Sequence, residues 1–279
     1  MKSVVWMIGA LFSFCLMAIA AKELSGILNT FQILFFRSAI GVLVATSIIL
    51  LLGKPGYFQT HRFPLHGLRN LFHFAGQYGW FVGIGLLPLA EVFAIEFTVP
   101  IWTALIALLF LNEKMTRRKG LALSLGFVGI LVIVQPSGEV INWGAMIVLL
   151  AAFGYAIAYV ATKSLSSSEH PLTIIFYMCT IQFPISLLLA LSEWQTPQGI
   201  QWVWITLIGI TSLSAHYCIA NAMKYSDASV VVTMDFLRLP AIALIGAMFY
   251  SESLSPSLIL GALLILSGNS LNIRSSRNK

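Results

Sequence analysis

The chain repeats its own pattern halfway along. Glu96 and Glu113 lie 17 residues apart, and so do Asp235 and Glu252. A shift of 139 residues lays the first pair on the second. Because a repeat of this length spans half the chain, it indicates two similar halves rather than the stacked units of a solenoid. What the halves do depends on whether these acids stand in water or in a membrane.

Composition places both halves in a lipid bilayer. Hydrophobic residues make up 58% of the 279 residues and charged residues only 9%, whereas soluble domains carry about 25% charged residues. Such a chain cannot cover a water-facing surface with polar groups. The net charge of +6 comes without a soluble basic domain, so no nucleic-acid partner is predicted. Cys15, Cys179 and Cys218 lie in apolar runs, and no disulfide, metal or cofactor is predicted.

Ten apolar segments are predicted to cross the membrane, since a crossing helix needs about 20 mostly apolar residues. The fifth is short, and it gains length if it extends through Lys119 and Gln135. The predicted segments are 4–21, 31–52, 68–87, 89–111, 121–134, 143–161, 172–191, 202–223, 230–250 and 257–273.

The first segment has a second interpretation. Lys2 followed by apolar residues and Ala18-Ile19-Ala20 resembles a signal peptide with a cleavage site. Cleavage would leave nine spans. The repeat favours retention, because residues 21–24 match residues 162–165 at the end of the sixth segment.

Basic residues predict the orientation. If the N-terminus is cytoplasmic, Lys22 lies outside, and Arg37 and Arg238 lie within spans. The excess of positive charge in the remaining loops indicates the cytoplasmic side, so both termini are predicted to be cytoplasmic. The thirteen cytoplasmic residues, of 16 Lys and Arg, are Lys2, Lys54, Arg62, Arg69, Lys114, Arg117, Arg118, Lys119, Lys163, Lys224, Arg274, Arg277 and Lys279.

The two halves are predicted to have opposite orientations. Each contains five spans, an odd number, so the second half begins on the opposite side of the membrane from the first. The predicted units are residues 1–137 and 143–274, followed by a cytoplasmic tail at 275–279. Inverted repeats are typical of secondary transporters, in which a site lies near the midplane between the halves.

Four charged residues within the spans are candidates for substrate binding or proton coupling. Glu96 and Asp235 each lie about seven residues, or about 10 Å, inside a span. A charge at such depth normally faces a cavity or a partner. The alternatives are a position near the headgroups or a structural ion pair. Arg238 either neutralises Asp235 or binds an anionic group, whereas Arg37 either binds substrate or reaches to the outer interface.

A second group of candidates is polar or aromatic and stands on the third, sixth and eighth spans. Polar groups within a span need partners or water. Lining of a substrate path explains them, and so do hydrogen bonds between helices or ordinary aromatic packing. The candidates are His73, Gln77, Tyr78, Tyr155, Tyr159, His216 and Asn221, with Trp80 and Tyr217 beside them.

A proline and a second acid occur at matching places in both halves. Pro100 and Pro240 lie within the fourth and ninth spans, where each removes a backbone hydrogen bond and is a hinge candidate. Glu113 and Glu252 end these spans at opposite faces of the membrane, which favours a cap, a gate or an interfacial ion pair.

Small residues in the fifth and tenth spans permit close contact between helices, and they favour a scaffold or a dimer face.

Several of these segments resemble the EamA-type carriers of the drug/metabolite transporter superfamily over essentially the whole chain. They are Phe35-Phe36-Arg37, Pro100 followed by residues 108–113, and the glycine-bearing segments 126–130 and 261–265. The resemblance implies ten helices in two inverted five-helix repeats around a central substrate cavity. Residues 68–93 and Arg238 are most similar to uptake carriers for S-adenosylmethionine and, less clearly, to those for riboflavin.

The sequence therefore predicts a secondary carrier, not an enzyme, that moves a small polar metabolite by alternating access across a bacterial inner membrane. S-adenosylmethionine or a related amino-acid-derived metabolite is favoured. The chain lacks a Gly-rich ATP loop, a His-Glu-x-x-His zinc motif and a Gly-x-Ser-x-Gly nucleophile turn. The alternatives are an amino-acid or drug exporter, a channel or a structural membrane protein. Expected partners are the substrate, the bilayer and a proton or counter-substrate, for a monomer or homodimer.

Overall fold

A computed structural model describes residues 2–111, 115–134 and 143–251, together with 256–257, 259–261, 263–264 and 267–268. Within these residues the chain forms α-helices and short 3₁₀ turns, with no strand. The predicted all-α class is therefore confirmed. The tenth predicted span and the acids Glu113 and Glu252 lie wholly or largely outside the described residues.

The helices of the described ranges follow the predicted segments closely. The 3₁₀ turns are Pro55–Phe58, Leu191–Glu193 and Asp235–Leu237. The α-helices are α1 Lys2–Leu24, α2 Thr30–Leu51, α3 Phe63–Leu86, α4 Leu89–Glu96, α5 Val99–Phe110, α6 Arg117–Val134, α7 Trp143–Ser166, α8 Pro171–Ala190, α9 Gln201–Tyr225, α10 Ala228–Met234 and α11 Arg238–Phe249.

Length and apolarity confirm a polytopic membrane protein. Five helical segments are long and apolar enough to cross a bilayer, namely Lys2–Leu24, Thr30–Leu51, Trp143–Ser166, Pro171–Glu193 and Gln201–Tyr225. The 24-residue α3 is not among them, because polar side chains such as Arg69, Asn70 and Gln77 interrupt its apolar run. The count of ten spans and the position of the termini stay predictions.

Local sequence explains where several helices begin. The side chain of Asn29 accepts a hydrogen bond from the backbone N–H of Phe31 at 2.8 Å and caps the start of α2. Gly26 adopts a positive φ of 74° in the turn before it, a conformation that glycine allows at little cost. Pro171 opens α8, where its missing N–H is not needed, and the preceding His170 caps the helix.

The fourth span is broken rather than continuous. Helix α4 ends at Glu96, and α5 begins at Val99 with Pro100 in its first turn. Proline has no N–H with which to bond the carbonyl oxygen four residues earlier. The sequence predicted a kinked but continuous span over 89–111, whereas the structure interrupts the helix just before the proline.

The ninth span is broken at the matching place. Helix α10 ends at Met234, a 3₁₀ turn covers Asp235–Leu237, and α11 begins at Arg238 with Pro240 as its third residue. The two interruptions therefore fall on the two acids that the 139-residue shift relates. A carbonyl group that loses its helical bond at such a break must be satisfied by protein partners or by water in a cavity.

Helices of the first half pack against helices of the second half. Helix α1 lies along α9 and α3 lies along α7, while α2 pairs with α8. The broken spans meet each other, α5 against α10 and α4 against α11. Helices α3 and α7 touch backbone to backbone, since a Cβ on Gly154 would lie 2.9 Å from the carbonyl oxygen of Phe72. The acids at the breaks consequently face the interface between the halves.

Candidate functional site

An arginine joins the two acids at the breaks. Nη2 of Arg238 donates to Oε1 of Glu96 and to Oδ2 of Asp235, each at 2.8 Å. All three side chains are buried, with exposed fractions of 1%, 6% and 6%. The indole N–H of Trp80 donates to Oε2 of Glu96 at 2.8 Å. We call Glu96, Asp235 and Arg238 the central triad.

Aromatic rings enclose the triad. The guanidinium carbon of Arg238 lies 4.5 Å from the ring centre of Phe14 and 4.8 Å from that of Phe93. A cation over an aromatic face is attracted by the electron density of the ring. The triad is thus held by charge and by ring contacts from α1 and α4.

The triad carries an excess of negative charge. Two carboxylates face one guanidinium, so the fully ionised triad has a net charge of −1. Oδ1 of Asp235 and Nε of Arg238 have no hydrogen-bond partner among the described residues. Because buried charges are costly unless paired, this arrangement is suited to receiving a proton or a cationic group.

A small cavity opens beside the triad. Its void of about 20 Å³ accommodates about one water molecule, whereas metabolite sites enclose roughly 300–1,000 Å³. Entry of a metabolite therefore requires the surrounding helices to separate. The cavity is lined by Phe14, Met17, Gln77, Trp80, Phe81, Glu96, Tyr155, Tyr159, His216 and Arg238.

A polar network adjoins this cavity. Nη1 of Arg37 donates to Oε1 of Gln77 at 3.1 Å and to Oε1 of Gln182 at 3.2 Å. Gln182 also lies 3.0 Å from Nδ1 of His73. The His73 ring packs edge to face against His216, with 4.6 Å between ring centres. Four of the sequence candidates are thereby brought together.

Sequence reasoning missed two members of this region. Gln182 is the only amide side chain on the largely apolar α8, and that was a usable signal. Arg69 was assigned to the cytoplasmic edge, yet it is only 2% exposed and donates from Nε to Thr162 at 2.7 Å. Its place near the start of a predicted span concealed this burial.

Two sequence candidates lie away from the cavity. Tyr78 is 38% exposed and stacks on Phe31, with 4.5 Å between ring centres. The amide nitrogen of Asn221 donates to the carbonyl oxygen of Tyr217 within its own helix at 2.9 Å. No group of three His, Cys, Asp or Glu side chains arranged to hold a metal ion occurs in the described part of the chain.

Polar contacts tie the bundle together at both ends of α8. At one end, Oε2 of Glu169 lies 2.7 Å from Nε2 of His66, and Arg62 donates to the carbonyl oxygen of Ser164 at 2.7 Å. At the other end, Nδ2 of Asn29 donates to Oε2 of Glu193 at 2.8 Å. These contacts join α8 and its neighbours at opposite ends of the bundle.

The sequence of the chain matches a known family twice. The profile described as the EamA-like transporter family matches residues 1–135 and again residues 142–274. The chain belongs to the EamA-like transporter family. This bears out the resemblance noted in the sequence, and it makes the chain a transporter rather than an enzyme.

Named relatives of this transporter cover nearly its whole length. The S-adenosylmethionine uptake transporter of Rickettsia felis is 26% identical over 94% of this chain and 88% of its own. The riboflavin transporter of Vibrio cholerae is 29% identical over 95% and 91%. The pseudopaline exporter of Pseudomonas aeruginosa is 29% identical over 92% and 90%.

A solved structure has the same fold as this transporter. It superposes with a TM-score of 0.78, at 18% identity, over 99% of this chain and 98% of the other. Together with the five apolar helices and the bacterial relatives, the fold makes this transporter a multi-pass protein of the bacterial inner membrane, as the sequence predicted.

Proposed function

We propose that this transporter is a secondary carrier for S-adenosylmethionine or a related amino-acid-derived metabolite. The observation that carries the proposal is the central triad, a buried site of net charge −1 that lies between two broken spans and is enclosed by aromatic rings. The relatives named as S-adenosylmethionine uptake transporters support it.

The chemistry of the site suits this substrate. S-adenosylmethionine carries a sulfonium, an ammonium and a carboxylate, for a net charge of +1, together with an adenine ring. The carboxylates of Glu96 and Asp235 attract its cationic groups. Trp80 and Tyr155, which line the cavity, supply aromatic rings for contact with a sulfonium or a planar base. Riboflavin, which is uncharged, would use the rings but not the triad.

Alternating access supplies the mechanism. Discontinuous helices at the centre of inverted repeats commonly form the site around which the two halves rock. In this transporter the broken spans α4–α5 and α10–α11 contact each other, and polar contacts join the helices at the two ends of α8. Release of one end at a time would expose the triad to one face of the membrane and then to the other.

Proton coupling is assigned to Asp235. Its Oδ1 has no partner among the described residues, whereas both oxygens of Glu96 are occupied by Arg238 and Trp80. Asp235→Asn should keep exchange of substrate but lose accumulation driven by a pH gradient, whereas Glu96→Gln should weaken both. If both variants accumulate substrate normally under a pH gradient, coupling through this triad is excluded.

Counterflow in proteoliposomes tests the substrate. Vesicles loaded with unlabelled S-adenosylmethionine should transiently accumulate labelled S-adenosylmethionine, and unlabelled riboflavin, amino acids or nucleotides should compete poorly. A channel would not show counterflow, because molecules cross an open pore without being exchanged one for another. Exchange of riboflavin without exchange of S-adenosylmethionine would overturn the proposed substrate.

A further inference from the structure

Two buried arginines, Arg37 on α2 and Arg69 on α3, stand side by side without a carboxylate. Each is 2% exposed. Nη2 of Arg37 lies 3.8 Å and Nη2 of Arg69 lies 3.9 Å from Sδ of Met178, so one thioether sulfur touches both guanidiniums. Among the described residues, no Asp or Glu side chain forms an ion pair with either arginine.

Among the described residues, the other hydrogen-bond partners of the two arginines are all neutral. Unit charges about 8 Å apart repel by about 2 kcal/mol at an effective dielectric constant of about 20. A buried guanidinium without a counter-charge has also lost its hydration, which hydrogen bonds to neutral acceptors replace only in part. The pair is therefore unfavourable unless an anion joins it. The neutral acceptors, at 2.7 to 3.2 Å, belong to Gln77, Gln182, Thr162 and Asn70.

Two buried donors beside the pair also lack acceptors. Oε1 of Gln182 accepts from Arg37, so the amide nitrogen of Gln182 donates to Nδ1 of His73. A neutral imidazole with an accepting Nδ1 carries its proton on Nε2. Neither that Nε2–H nor the Nε–H of Arg37 has a partner among the described residues. The missing group is thus an acceptor with negative charge.

We propose that Arg37 and Arg69 bind the carboxylate of the transported substrate. A carboxylate accepts paired hydrogen bonds from guanidinium groups, and the flexible thioether of Met178 can move aside to admit it. The site is separate from the central triad but adjoins it, because Gln77 accepts from Arg37 and also lines the central cavity.

The identity of the ligand rests on the proposed function. A zwitterionic amino-acid head group would place its cation near Glu96 and Asp235 and its carboxylate between the two arginines. With all five groups ionised, three guanidiniums and two carboxylates give the protein centre a net charge of +1, and the substrate carboxylate supplies the counter-charge that Arg37 and Arg69 lack. A substrate without a carboxylate would leave the arginine pair uncompensated.

Competition binding tests the proposal on the purified full-length protein. Labelled S-adenosylmethionine is displaced by unlabelled S-adenosylmethionine or by its decarboxylated analogue. The wild type should prefer the carboxylated ligand by about 10-fold to 100-fold, the range expected for hydrogen bonds to a charged group. Arg37→Gln and Arg69→Gln should lose this preference and keep their affinity for the analogue. Arg118→Gln, at an exposed position on α6, is the matched control and should keep the preference for the carboxylated ligand.

Thermal melting with added anions tests the site without assuming the substrate. Acetate should raise the melting temperature of the wild type and of Arg118→Gln, but not of Arg37→Gln or Arg69→Gln. The ligand-free Gln variants should melt at or above the wild type, because each removes an uncompensated charge. If either Gln variant fails to fold, Arg37→Lys and Arg69→Lys replace it. Lysine keeps the positive charge but lacks the paired N–H donors of the guanidinium, so these variants should show an intermediate preference for the carboxylated ligand.

The outcomes separate this inference from the proposed function. If the protein binds no S-adenosylmethionine while acetate still acts through the two arginines, the substrate is wrong and the carboxylate site stands. If both Gln variants retain the preference for the carboxylated ligand, the inference is overturned. Stabilisation by phosphate or chloride alone would also overturn it, since the site would then hold an inorganic anion.

Discussion

Two tryptophans allow the hydrogen bond to Glu96 to be measured. Trp80→Phe removes the N–H that occupies Oε2 of Glu96 and should lower the free energy of unfolding by about 1.5–3 kcal/mol, as expected for a bond to a charged group. Trp102 provides the control, because its indole N–H has no partner among the described residues. The free energies of unfolding are measured by titration with a denaturing detergent, and Trp102→Phe should leave this free energy nearly unchanged. Equal losses from both variants would contradict the role of Trp80.

At the residue scale, the sequence identified the members of the triad but not their partners. Glu96, Asp235 and Arg238 are conspicuous because charge inside an apolar span is rare. The bond from Arg238 to Glu96 joins residues 142 positions apart, and it depends on how the fourth and ninth spans align. Spacing along one helix suggested only the local pair of Arg238 with Asp235.

The breaks in the fourth and ninth spans should be required for transport. Pro100→Ala and Pro240→Ala restore an N–H that can bond the carbonyl oxygen four residues earlier, so they favour a continuous helix. Each should slow counterflow without lowering thermal stability. Pro184, which lies inside α8 on an exposed face, is the control, and Pro184→Ala should leave counterflow unchanged. Equal slowing by all three would argue against a special role of the breaks.

The contacts at the two ends of α8 should control opposite openings. Glu169 contacts the buried His66, and Glu193 accepts an exposed hydrogen bond from Asn29. A hydrogen bond contributes about 0.5–1.5 kcal/mol, enough to change a population by about twofold to twelvefold. Glu169→Ala should speed labelling by a membrane-impermeant maleimide from one face, and Glu193→Ala from the other. The labelled position is Met17→Cys, which lines the cavity, in a chain whose native cysteines are replaced by serine. Faster labelling from the same face in both variants would contradict separate gates.

At the element scale, hydropathy located the helices and misjudged their continuity. Six predicted spans correspond to the long helices α1, α2, α3, α7, α8 and α9, with ends shifted by a few residues. In the fourth and ninth spans the apolar run continues through the break, so hydropathy does not reveal the interruption of the helix. Pro100 and Pro240 were the available signal, and it indicated a kink rather than a complete break.

The whole molecule was predictable in outline because the repeat and the apolar segments are long-range patterns of the sequence itself. The shift of 139 residues relates Glu96 to Asp235, and the structure brings both acids to one guanidinium. The packing of one half against the other is not predictable from the sequence, because it depends on side-chain contacts between spans. The position of Arg69 at the start of the third predicted span therefore predicts a cytoplasmic charge, whereas the structure buries it beside Arg37.

The central claim is that a single site at the triad binds the substrate and opens alternately to both faces of the membrane. Labelling of Met17→Cys by a membrane-impermeant maleimide, applied from each face with and without S-adenosylmethionine, tests it most directly. The expected result is labelling from either face, slowed by the substrate in both cases. Ser167→Cys, at an exposed position between α7 and α8, should be labelled from one face only, without protection. Labelling of Met17→Cys from a single face, or without protection by a substrate that undergoes counterflow, would contradict the claim.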